Sequence, residues 1–258
     1  MTATVHTPQP TPYQDVNTFL DLMHTSLRTI LGDQLVALYL GGSLALGDFN
    51  PQRSDIDFAV VTHDELPPDT VAALAQMHAR LWVTGDKWAR KLDGSYVPQQ
   101  VIRCWTPDHR PCPFVEAAGF NVTQQGSAII QRHILREHGV VVMGPQPRTL
   151  LDLVTAAELS GTVRDMLARW WKPLLADPTW LQQETNQPFA VLTMCRMLYT
   201  YEHGAVASKP AAAHWCRQTL AAGWMPLIDW ALAPPHAPEA DHLAAALSLI
   251  AYTVDRCK

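Results

Sequence analysis

Two short apolar runs joined through a glycine pair constrain this chain more than any other feature. LVALYL (Leu35–Leu40) ends at Gly41-Gly42-Ser43, and IDFAVV (residues 56–61) opens within Ser54-Asp55-Ile56-Asp57. Short apolar runs bounded by turn residues read as buried strands, so these two are expected side by side in one sheet. Glycines directly after the first strand let backbone N–H groups and the Ser43 hydroxyl approach an anion such as phosphate. In a strand, residues i and i+2 share a face, so Asp55 and Asp57 present two carboxylates together while Ile56 and Phe58 turn to the core. Such a pair repels, and it either shares a proton or is neutralised by a cation. Oxygen ligands beside a phosphate cradle favour Mg²⁺.

The rest of the chain sorts into two halves. Apolar residues recur at helical spacing over residues 16–30, where Gly32 stops the helix, and again over 71–82. YVPQQVIRCW (residues 96–105) reads as a strand whose Pro98 places it near an edge or entry, followed by a loop at TPDHRPCP. A helix is expected over 128–137 and a strand at VVVM (Val140–Met143). GPQP then marks a boundary. Beyond it the spacing is helical, with faces at 156–170, 189–201, 210–222 and 242–254. The expected organisation is a flexible Thr- and Pro-rich tail over 1–14, an α/β domain with a mixed sheet over 15–148, and an all-α bundle over 149–258.

Charge and cysteine usage exclude several classes. The 258 residues carry a net charge of -5, with 17% charged residues, so the chain offers no broad basic field for non-specific nucleic-acid binding. Five cysteines without C-x-x-C spacing fit reduced thiols and a cytoplasmic location. No stretch reaches the roughly 18 apolar residues of a membrane span, and the N-terminus has no apolar leader core. Cys104, His109 and Cys112 lack a fourth zinc ligand, and His133 and His138 are not spaced to share a helix face.

Two cations stand out in the helical half. Arg196 falls in the middle of FAVLTMCRMLYTY, a helix apolar on most sides, where a guanidinium requires a partner. Lys209 precedes Pro210, a proline suited to the first turn of a helix, which puts an ammonium beside backbone N–H groups that together suit a phosphate.

The conjunction of G-S with S-D-x-D on an apolar strand resembles the signature of the nucleotidyltransferase superfamily, which has a polymerase-β-like fold. LTMCRMLYTYEHGAVASKPAAAHW and EHGVVVMGPQP resemble the matching segments of aminoglycoside adenylyltransferases of the streptomycin/spectinomycin type. That resemblance implies a Mg²⁺-dependent enzyme moving AMP from ATP to a hydroxyl of a small molecule, with the helical domain closing the nucleotide and substrate cleft. It implies that Gly42 and Ser43 contact the triphosphate, that Asp55 and Asp57 hold Mg²⁺, and that Arg196 and Lys209 bind nucleotide phosphates. A third carboxylate acts as metal ligand and general base; Asp93, immediately before the next strand, and Glu116 are the two candidates. The acceptor site precedes the Arg196 helix, where only Glu184 and Trp180 stand out, so the acceptor is an aminoglycoside or another small hydroxyl compound. No nucleic-acid or membrane partner is implied, and a monomer is expected. A related enzyme acting on a macromolecule, or a non-catalytic nucleotide sensor, remains the alternative.

Overall fold

A computed structural model describes residues 9–104, 111–123, 128–183, 185–233 and 241–258. The chain divides into two compact units, Met1–Leu153 and Val154–Lys258.

The first unit is built on a six-stranded mixed sheet. Helix α1 (Gln14–Leu31) leads into β1 (Leu35–Leu40), the short helix α2 (Gly42–Leu46) and β2 (Ile56–Thr62). Helix α3 (Pro68–Val83) crosses to β3 (Leu92–Pro98), followed by α4 (Gln99–Arg103) and the hairpin β4 (Cys112–Glu116) and β5 (Gly119–Thr123). Helix α5 (Ala128–His138), β6 (Val140–Met143) and α6 (Pro147–Leu150) complete it. The strand order is β5-β4-β3-β2-β1-β6, with β2 and β3 parallel and every other pair antiparallel. A parallel pair needs a crossover, and α3 supplies it.

Alternation along the strands fills both faces. Leu38, Leu40, Ile56, Phe58, Val60, Leu92 and Tyr96 pack with α1 and α3 in one core. Ala37, Tyr39, Ala59 and Val61 turn the other way, onto Ile102, Leu135 and Leu151. Asp57 and Asp93 belong to this second face by the same alternation.

Several expectations need correction. The third strand starts at Leu92 rather than at Tyr96, and residues 99–103 are helical. Pro98 ends the ladder because it has no N–H to donate, and α4 buries Ile102 beneath the sheet. Cys112 and Pro113, at the end of the expected loop, already belong to β4. Thr11, inside the expected tail, is buried and donates its hydroxyl to Asn17 Oδ1 at 2.7 Å, so packing begins before Asp15. The first compact unit runs to Leu153, because Leu151 belongs to its core.

In the second unit, α7 (Ala156–Met166) starts at a capping box in which Thr155 and Glu158 satisfy each other's backbone N–H groups, and it continues as a π-helical turn over Leu167–Trp171. Next come α8 (Asn186–His203), α9 (Lys209–Thr219), α10 (Met225–Leu232) and α11 (Leu243–Arg256). The near-continuous apolar surface of α8 follows from its position, since α7, α9, α10 and α11 all pack on it. Helix α10 does not stand out in the sequence.

Gly94 lies flat against Phe58, and a side chain there would overlap both the ring and the carbonyl of Phe58. Gly94→Ala is therefore expected to destabilise the chain by about 1–3 kcal/mol through overpacking. Urea denaturation of the variant and the parent checks this; equal midpoints would contradict the close approach.

Candidate active site

The turn after β1 is shaped around Asp57. Gly41 N–H donates to the Asp57 carbonyl at 2.8 Å, and Ala45 N–H donates back to the Gly41 carbonyl at 3.0 Å, closing α2. Gly42 has φ 47, in the left-handed region, and any side chain on it would overlap the Asp57 carboxylate. Glycine here is thus a requirement for the carboxylate to lie against the turn. Ser43 follows within α2, half-buried. From the other side, Leu135 and Gln131 of α5 approach Gly41, with atoms 3.5 Å and 3.9 Å from where its Cβ would be.

Strand register assembles the carboxylates. Asp57 pairs directly with Asp93 across the parallel β2–β3 ladder. Neighbouring strands lie about 4.8 Å apart, and directly paired residues project to the same face. The antiparallel pairs Gly94–Val115 and Ser95–Phe114 carry Glu116 alongside Asp93 in turn. Asp55, exposed, immediately precedes β2. Burial first, then the negative charges of Asp57, Asp55 and Glu116, push the Asp93 carboxyl up to about 7. Asp93 is therefore inside the strand rather than before it, beside Asp57; Glu116 stands one strand further out, exposed.

These residues fit a hard divalent cation. The donors are carboxylates, they destabilise one another's charge, and the turn keeps Gly42 bare against Asp57. Among the described residues, no three His, Cys, Asp or Glu side chains are grouped closely enough to hold a metal ion by themselves. An open arrangement suits Mg²⁺, which takes one or two carboxylates and completes its shell with phosphates and water.

The second unit holds the remaining sequence candidates. Arg196 is half-buried on α8. Lys209 is the first residue of α9, whose N-cap Ser208 accepts from Ala211 N–H at 3.2 Å. Lys209 Nζ sits 4.0 Å above the ring of Phe189, and Phe189 in turn meets Trp180 edge-on and stacks on Trp171. Trp180 is thus one wall of an aromatic group that sequence periodicity does not reveal, because its members come from three elements. Glu184 lies outside the described residues, as does His109.

Comparison with known proteins agrees with both halves. Residues 149–258 match the family model of the aminoglycoside adenylyltransferase C-terminal domain, and residues 24–89 match that of the nucleotidyltransferase domain. An aminoglycoside (3'') (9) adenylyltransferase of Rhizobium radiobacter is 32% identical over 238 residues, covering 91% of this chain and 74% of that protein. One from Escherichia coli is 29% identical over 244 residues, covering 90% and 89%. A spectinomycin adenyltransferase from Enterococcus faecialis, solved with ATP and spectinomycin, shares the fold with a TM-score of 0.68 at 16% identity, over 92% of this chain and 97% of that one.

The crowded carboxylates have a measurable cost. An acid held near 7 in the folded chain and near 4 when unfolded keeps a proton on folding, so it lowers stability as pH rises through that window. In chelator, Asp93→Asn should be more stable than the parent at pH 8, by roughly 1–2 kcal/mol for a partly exposed group, and equal to it at pH 4. Thermal unfolding at both pH values tests this; a difference that ignores pH would contradict it.

Proposed function

Because the chain belongs to the aminoglycoside adenylyltransferase family, we propose that the carboxylates gathered at the starts of β2 and β3 carry its reaction. The enzyme transfers a nucleotidyl group to an aminoglycoside. The nucleotide is ATP, the acceptor group is a hydroxyl, and pyrophosphate leaves. Asp55, Asp57 and Asp93 would hold Mg²⁺. When bound, Mg²⁺ supplies positive charge to the α-phosphate and the leaving oxygen.

The chain's own groups do the rest. The Gly42 turn and Ser43 orient the triphosphate by backbone and hydroxyl donors. Asp93 accepts the proton of the acceptor hydroxyl as that oxygen attacks the α-phosphorus in line. Arg196 and Lys209 offset charge on the departing pyrophosphate. Trp180 and Glu184 contribute to acceptor binding. The enzyme works as a monomer in the cytoplasm, without nucleic acid or membrane.

The observation carrying this reading is the direct Asp57–Asp93 register pair beside a turn that only glycine can make. It favours Asp93 over Glu116 as base. The non-catalytic sensor open from the sequence is set aside by the adenylyltransferase relatives.

Pyrophosphate release from ATP and Mg²⁺ over a panel of aminoglycosides, spectinomycin included, is expected for the parent and not for Asp57→Asn. Asp93→Asn should lower turnover by about 10²–10⁴ while ATP affinity holds, and Glu116→Gln should stay close to the parent. Release with no acceptor dependence, or full activity of Asp93→Asn, would overturn the assignment.

A further inference from the structure

Helix α5 presents Gln131 and Leu135, one turn apart and so on a common face, to the backbone of Gly41. Leu135 is buried, as its place in the core demands. Gln131 is half-buried, and among the described residues its side chain makes no hydrogen bond. A polar residue on a face that otherwise packs apolar atoms forfeits burial unless its amide has a partner. Its Oε1 and Asp57 Cβ lie 3.9 Å and 3.8 Å from where a Cβ on Gly41 would be, so the amide and the Asp57 side chain border the same open space above that glycine.

We propose that Gln131 is a further nucleotide-binding residue, its side-chain amide donating to a phosphate oxygen of ATP at the Gly41-Gly42-Ser43 turn. This rests on the ATP reading above. The turn faces a dense set of carboxylates, which repel a triphosphate. A neutral amide offers two N–H donors there without adding charge, and a rotation of its plane presents them where Oε1 now lies. Hydrogen bonds of this kind to a charged phosphate are among the stronger ones.

Titration calorimetry of the full chain with Mg²⁺-ATP, and separately with adenosine, tests the role in Gln131→Leu and Gln131→Glu. Leucine keeps the bulk and removes the donors; glutamate replaces them with a further negative charge. ATP is expected to bind about tenfold more weakly to Gln131→Leu and more weakly still to Gln131→Glu, with adenosine affinity unchanged in both. ATP affinity within twofold of the parent in both variants, or an equal loss for adenosine, would make Gln131 a packing residue only. Should Gln131→Leu fail to fold, Gln131→Glu decides by the same comparison. Failure of the ATP reading itself differs from both outcomes, because the parent chain would then bind no ATP.

Discussion

Backbone hydrogen bonding between two parallel strands holds Asp57 and Asp93 side by side against their mutual repulsion. The ladder is indifferent to the side chains it aligns, so the register that buries Ile56, Phe58, Val60, Leu92 and Tyr96 on one face places the two carboxylates together on the other. The apolar core thereby offsets the cost of the acidic site. Slipping β3 by one residue would turn Asp93 toward the larger core and Leu92 and Tyr96 away from it, so fold and site cannot be separated. Gly42 and Gly94 serve this arrangement from two sides. One leaves room for the Asp57 carboxylate, and the other lets β3 close on Phe58.

The second unit solves a different problem. Helix α8 is surrounded by other helices and so is apolar nearly all round, with Arg196 a half-buried exception whose guanidinium requires a partner. Lys209 opens α9 under a serine cap, where the helix dipole disfavours a cation and favours an anion. Its ammonium rests on the face of Phe189, an interaction that restrains a long flexible side chain.

Much of this was legible in the sequence because it was local. Strands β1 and β2, the i, i+2 spacing of Asp55 and Asp57, and helices α1, α3, α5 and α8 follow from apolar runs and periodicity. What depended on distant pairing was not. Asp93-Gly94 has the composition of a turn, and only the approach of Phe58 turns it into strand. Pro111 and Pro113 disguise β4; Pro113 lies outside the Gly94–Val115 and Ser95–Phe114 pairs, so the β3–β4 ladder asks no N–H of it. The aromatic group of Trp171, Trp180 and Phe189 and the approach of Gln131 to Gly41 join residues from different elements. No periodicity within one element could announce them.

The central claim is that the register-paired carboxylates are the metal and nucleotide centre. Titrating Mn²⁺, as a paramagnetic substitute for Mg²⁺, into the chain with a non-hydrolysable ATP analogue and following free Mn²⁺ by electron paramagnetic resonance tests it most directly. The account predicts a nucleotide-dependent site that is lost in Asp57→Asn and weakened in Asp55→Asn. Undiminished Mn²⁺ binding in Asp57→Asn would contradict it.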